Sequence, residues 1–371
     1  MAPEATHAES ADEDFTVDHI PGLGPVELKH GDILLPDSTA IAEIFQEQAD
    51  HIPAESSIKL ATKALRQAGY GLLQIPGKLT TLHGLGKTSI PNDREYVRMR
   101  NDKAQVFVED FIGRFVSDES SVHGIENLAP ALEASRNGEP VLMMGNHGSE
   151  VDPVLCSILL SREQQRLRLA DQPNANAAAE AREKLLAVIG HKVMLEKFRR
   201  TFSGAIHSLF TIASKYRNGL TDDEEKNTAS AYVDNVNTIL RLLITNPEYF
   251  VMLFPEGGRT RDNQIGMQME VIRAACGKMV LPTFIDTPDK FLELEQGEKM
   301  HLHPETVDLY IGEPFVPESA SATRGMSQFV GTFRENLSEV GAPVDDYTWG
   351  YMKRGRRNGD APREMTFEEV T

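Results

Sequence analysis

The stretch VLMMGNHGSEVDPVL, residues 141–155, decides how this chain is read. Four apolar residues run into Gly145, Asn146 and His147, and small or polar positions then lead to Asp152 and Pro153. A short apolar run bounded by turn residues reads as a buried strand, and the segment from Glu150 or Asp152 reads as the start of a helix. His147 then stands at a strand end, where the loops of an open α/β sheet gather ligands and catalytic groups. Gly148 and Ser149 let the backbone turn tightly, so the Asp152 carboxylate can come back to the imidazole. Spacing alone also admits the plainer reading, in which Asp152 only caps the helix and His147 is a satisfied loop residue.

Apolar runs of the same kind recur on either side: LLAVIG from 185, SLFTIA from 208, YFVMLF from 249, MVLPTF from 279 and VDLYIG from 307. Helical patterns lie between several of them. In TASAYVDNVNTILRLLI, from 228, Val233, Val236, Leu240 and Leu243 line one side, and Thr221 to Glu224 has the form of a capping box. Helical spacing of Val108, Phe111, Ile112 and Phe115 predicts a further helix between Val106 and Val116. The expected fold is α/β, a mixed sheet flanked by helices and preceded by a small helical N-terminal domain.

That domain is placed at residues 1–90, ahead of a catalytic domain at 91–371, in a chain of 371 residues that is long enough for two units. It opens with an acidic tail, followed by the turn PGLGP at 21–25. Two helices are expected next, one presenting Ile41, Ile44 and Phe45 after a cap at Asp37 or Ser38, the other presenting Ile58, Ala61, Leu65 and Ala68. The GKTS at 86–89 imitates a phosphate-binding loop, but Thr81 occupies the place of the required first glycine.

A net charge of −18 argues against a nucleic-acid binder, which needs a basic face. The acidic start is neither a signal nor a transit peptide, and no apolar run reaches the roughly 18 residues of a membrane span. The expected setting is therefore soluble, cytoplasmic or the plastid stroma. The two cysteines, Cys156 and Cys276, sit among apolar neighbours and read as buried thiols. From Arg182 to Arg217 eight cations meet two carboxylates, which marks either a solvated basic face or a site for an anion or acidic partner.

The second informative stretch is YFVMLFPEGGRTRDNQ, residues 249–264. An apolar strand ends at Pro255 and Glu256, Gly257 and Gly258 permit close backbone approach, and Arg259 and Arg261 can grip a phosphate through forked, charge-assisted bonds. The run from 208 also leads to cations, Lys215 and Arg217. A histidine base and several cations suit proton removal from a hydroxyl on a phosphate-bearing substrate. No nucleophile elbow is present and neither cysteine has an evident partner, so direct attack on a donor is favoured over a covalent enzyme intermediate.

NHGSEVDP resembles the NHxxxxD block of the glycerolipid acyltransferases, and FPEGGRTR resembles their second signature. SLFTIASKYR and VLPTF fall in the order of the remaining blocks. The GGRxR form and the expected preceding helical domain are most similar to the plastid-type glycerol-3-phosphate 1-O-acyltransferases, over roughly residues 95–320. The resemblance implies that His147 is the base on the sn-1 hydroxyl of glycerol 3-phosphate, oriented by Asp152. Arg259 and Arg261 would hold the phosphate with Lys215 and Arg217 assisting, and Glu256, Gly257 and Gly258 would line the substrate site. It further implies an acyl-ACP or acyl-CoA donor, no metal or other cofactor, acyl carrier protein docking on the basic segment, and transient contact with a membrane surface.

Two positions depart from the plant enzymes. Lys215-Tyr216-Arg217 stands where they carry Lys-Lys-His, and Glu256 stands where they carry serine, as in superfamily members that accept lysophosphatidate. Acylation of lysophosphatidate or another glycerolipid acceptor is thus the nearest alternative. A metal-dependent phosphohydrolase using His147, Glu150 and Asp152 is a more distant one. His301 and His303 in HLHP read as part of a surface turn, since no third metal ligand accompanies them.

Overall fold

A computed structural model describes residues 15–17, 26–28, 62, 65–75, 77–79, 81, 96–149, 151–190, 201–211, 223–256, 263–288, 291–295, 299–302, 304–318, 323–354 and 365–370. In chain order the elements are β1 (Phe15–Val17), β2 (Val26–Leu28), β3 (Val97–Arg98), α1 (Asp102–Gly113), β4 (Val122–His123), α2 (Leu128–Arg136) and β5 (Val141–Gly145). There follow α3 (Asp152–Leu169), α4 (Asn174–Lys184), β6 (Leu185–Gly190), β7 (His207–Thr211), α5 (Asp223–Leu243), β8 (Phe250–Leu253), β9 (Gln264–Gln268), α6 (Met269–Ala275) and β10 (Met279–Asp286). The chain ends with β11 (Leu292–Glu295), β12 (Lys299–Leu302), β13 (Asp308–Ile311), α7 (Thr323–Glu339), β14 (Thr348–Arg354) and β15 (Met365–Glu369).

The principal sheet has eight strands in the order β3-β7-β6-β8-β5-β10-β13-β4. Strands β7, β6, β8, β5 and β10 are mutually parallel, while β3 and β13 join antiparallel at either side and β4 runs parallel to β13. The sheet is therefore mixed, as expected. Strand β5 is wholly buried, which explains its unbroken apolar run. Val141 and Met143 enter one core with residues of α1 to α4, whereas Leu142 and Met144 enter a second core with residues of α5, α6 and α7. Helices thus cover both faces, in an α/β/α arrangement.

Leu65, Ala68, Tyr70 and Ile75 bury into the first of these cores. The helical backbone around Leu65 stops at Gly69, whose φ of 76° suits a residue without a side chain. Helix α1 begins at Asn101, whose side chain accepts from the amides of Lys103 and Ala104. Two expectations need correction or extension. Phe15–Val17, at the end of the acidic tail, and Val26–Leu28, after the PGLGP stretch, pair as an antiparallel ladder that the sequence reading does not include. His301 lies within β12, paired opposite Glu293 of β11, and not in a turn; alternation of Met300 and Leu302 with polar neighbours fits that strand. His303, the first N-terminal helix and the GKTS segment fall outside the described residues, as does the start of the capping box.

Candidate active site

Strand register brings the site together. Met144 of β5 pairs with Leu253 of β8, so His147 and Glu256 each lie three residues beyond a matched pair on neighbouring strands. On the other side Gly145 pairs with Thr283 of β10, which puts Thr287 beside the same loop. Gly145 is required there: a Cβ would come within 2.6 Å of the Thr283 hydroxyl and 3.0 Å of its carbonyl oxygen. Beyond it, Asn146 clamps the strand end to β10, donating from Nδ2 to the Ile285 carbonyl at 3.0 Å and accepting from the Ile285 amide at 2.8 Å. The next residue is thereby held in register with β10.

His147 Nδ1 lies 3.1 Å from Asp152 Oδ2, with 21% of the His147 side chain exposed and none of the Asp152 side chain. The same Oδ2 accepts from the Ser149 amide at 2.9 Å, while Oδ1 accepts from the Thr287 hydroxyl at 3.3 Å. Asp152 sits in the first turn of α3, next to Pro153, and the helix is buried on all sides from Asp152 to Leu160. Carboxylates are favoured at this end because the unpaired N–H groups of the first turn carry partial positive charge. The carboxylate bonds the imidazole and the Ser149 amide that precedes the helix, and no side chain caps the helix's own first turn.

The imidazole is held on its face as well, by Phe254, whose ring stacks at a centroid distance of 4.3 Å and an interplanar angle of 24°. The His147 amide donates to Glu256 Oε1 at 3.0 Å, tying the β5 loop to the β8 loop. Gln268 secures the latter in turn, its amide bonding the Pro255 carbonyl at 2.7 Å and its side chain the Glu256 carbonyl at 3.2 Å. With Nδ1 directed at a buried carboxylate, the proton of the neutral ring sits on Nδ1 and Nε2 becomes the accepting nitrogen. That is the arrangement of a general base.

Thiol chemistry has little support in this architecture. Cys156 is fully buried in α3, and burial pushes its thiol up to about 12, so it stays protonated; Cys276 is half-buried and, like Cys156, free. No group of three or more metal-ligating side chains occurs among the described residues. Gly257, Gly258, Arg259, Arg261, Lys215 and Arg217 lie outside the described residues, as does Glu150. Of the basic segment, Arg182 pairs with Glu109 across the α1–α4 packing, and Lys184 reaches the Pro247 carbonyl at 3.4 Å. Those two cations are engaged within the fold.

Residues 119–285 match the family model described as Acyltransferase. The matched segment begins before β4, ends one residue short of the end of β10, and contains His147, Asp152 and Glu256. It supports acyltransferase activity for the chain. No curated protein matches it. Thr287 and Phe254 are the site residues that the sequence did not single out. Phe254 closes an apolar run and looks like core, and Thr287 follows β10 without any local signal of its own.

Proposed function

We propose that the protein transfers a fatty acyl group from acyl-ACP or acyl-CoA to the sn-1 hydroxyl of glycerol 3-phosphate, giving 1-acylglycerol 3-phosphate. The observation that carries this reading is the His147–Asp152 pair, 3.1 Å apart at the end of β5 within the matched segment. His147 Nε2 takes the hydroxyl proton as the oxygen attacks the thioester carbonyl, and Asp152 stabilises the imidazolium that results. The tetrahedral intermediate collapses with loss of the thiolate, which recovers that proton. Arg259 and Arg261, with Lys215 and Arg217, are proposed to hold the phosphate, and Gly257 and Gly258 to admit it close to the backbone. Docking of acidic acyl carrier protein on the segment from Arg182 to Arg217 belongs to the same proposal.

The test is acyl transfer from labelled acyl-ACP and acyl-CoA to glycerol 3-phosphate by the purified chain, run beside His147→Ala with products separated by chromatography. A loss of at least about a hundredfold in the variant is expected for removal of a general base. Turnover that ignores the substitution would refute the mechanism. Glu256 favours a second acceptor, lysophosphatidate, and the same assay with that acceptor decides between the two.

A further inference from the structure

The β14–β15 hairpin lies beyond the family-matched segment, yet it reaches the candidate site through β9. Strand β14 runs parallel to β9 in unbroken register, from Thr348 against Gln264 to Met352 against Gln268, and the Thr348 amide donates to the Asn263 carbonyl at 2.8 Å. Strand β15 then pairs antiparallel with β14. One face of this small sheet covers the second core with Ile265, Met267, Trp349 and Tyr351, none more than 4% exposed. By the alternation of strands, Gly266, Gln268, Gly350 and Met352 belong to the other face.

Covering a core asks nothing of that outer face, but here it is locked. Gly266 and Gly350 are paired in register, and the Phe367 ring lies across both. A Cβ on Gly350 would come within 2.6 Å of Phe367 Cζ, and one on Gly266 within 3.2 Å of its Cδ2 and 2.8 Å of Met352 Sδ. A slip of β14 by two residues would set Gly350 against Gln264 or Gln268 and put a side chain under the ring, so the register is fixed. The strand so held ends at Gln268, which bonds the Pro255 carbonyl through its amide at 2.7 Å and the Glu256 carbonyl through Nε2 at 3.2 Å. Glu256 in turn accepts from the His147 amide at 3.0 Å. Direct contacts thus run from Phe367 through the glycine lane, β9, Gln268 and Glu256 to the backbone of His147.

We infer that the β14–β15 hairpin belongs to the working frame of the site and that Gln268 is a positioning residue, which passes the fixed place of β9 on to Glu256 and the backbone of His147. The inference rests on the proposed function only for what this alignment serves. The alignment itself can be measured without turnover.

The experiment compares the full chain with Gln268→Leu, which removes the Nε2 donor and keeps the backbone bond, with Gln268→Lys, whose ammonium restores a donor, and with Phe367→Ala, which empties the glycine lane. Backbone hydrogen exchange is followed by mass spectrometry in peptides covering residues 141–155 and, as a reference, α1, and acyl transfer is measured alongside. Gln268→Leu deletes one hydrogen bond, so exchange at residues 146–149 should rise about fivefold and kcat should fall by about the same factor, with the KM for acyl-CoA and the exchange of α1 unchanged. Gln268→Lys should recover most of both effects, because the donor and not the side-chain volume is what counts. Phe367→Ala should reproduce the exchange effect from across two strands. Wild-type exchange at residues 146–149 in both Gln268→Leu and Phe367→Ala overturns the inference, as does a loss that Gln268→Lys leaves unrepaired or that spreads equally to α1. Absence of acyl transfer in the wild type would refute the proposed function alone, because hydrogen exchange still decides the inference.

Discussion

Asp152→Asn isolates what the charge of the buried carboxylate contributes. The atom at the Oδ2 position must go on accepting from the Ser149 amide and from His147, so the amide nitrogen is driven to the Oδ1 position. There it meets the Thr287 hydroxyl, which can rotate to accept in place of donating. The geometry and the ring tautomer both survive, and only the charge is lost. A unit charge about 3 Å from the imidazolium, at an effective dielectric near 20, is worth about 5 kcal/mol. Incomplete proton transfer in the transition state and the partial exposure of His147 reduce this to about 3 kcal/mol, or roughly a hundredfold in kcat. Asp152→Ala removes orientation as well and should cost a further tenfold or so. Thr287→Val, which deletes one donor to a carboxylate that keeps its other partners, should lower kcat by about threefold to tenfold, and combined with Asp152→Asn should cost more than the product of the two losses, because the amide then has no acceptor. The assay is thiol release from acyl-CoA on saturation with glycerol 3-phosphate, with folding checked by the denaturant midpoint. Asp152→Asn retaining activity within threefold of wild type would refute the electrostatic role.

Other positions probe the scaffold. Gly145→Ala inserts a methyl group 2.6 Å from the Thr283 hydroxyl, so it should destabilise the chain by about 2 kcal/mol in urea unfolding and, by displacing the strand end that carries His147, lower kcat at least about tenfold. Glu109 accepts from Arg182 and, at 3.1 Å, from Gln105, with side chains largely withdrawn from solvent; Glu109→Gln should cost about 2 kcal/mol by the same measurement, less than a fully buried pair would because both groups keep some exposure. Burial, and then the charge of Arg100, hold His207 below the ordinary histidine range, with Nδ1 accepting from the Arg100 amide at 3.2 Å. Its contribution to stability is complete above the unfolded value of about 6.5 and is lost as pH falls through that value toward the folded one, so the denaturant midpoint should drop more steeply below about pH 6.5 in wild type than in His207→Gln.

The strands that carry the site were legible because each is buried on both faces, which leaves an uninterrupted apolar run ending at Gly145, Leu253 or Asp286. The His147–Asp152 pair was legible for a local reason: five residues joining a strand to a helix bring the two side chains together without help from distant sequence. Thr287 and Phe254 were not, since each reaches the pair only through the register of β10 or β8 against β5, and their partners are more than a hundred residues away. The β1–β2 ladder escaped notice because its three-residue strands are too short for alternation to register above the acidic and Pro/Gly-rich surroundings. Along the chain Arg182 belongs to a net-basic segment, whereas Glu109, which neutralises it, comes from α1.

The candidate site shows why a histidine, a buried carboxylate and a helix end occur together. A histidine on a strand-end loop is by itself free to turn, and a carboxylate on a separate loop would fix it only as well as that loop is fixed. Asp152 instead belongs to the first turn of a helix whose opening half is buried on every side, so its position is set by the packing of Val154, Leu155, Ile158 and Leu159 into the core. The Ser149 amide and the Thr287 hydroxyl then occupy the lone pairs that His147 leaves, which prevents the carboxylate from rotating toward another donor. Phe254 and the Glu256 bond to the His147 amide hold the ring and its backbone from the β8 side. In the proposed reaction the base is aligned before the acceptor arrives, and the binding energy of the acceptor's phosphate would be left to bring its hydroxyl to Nε2.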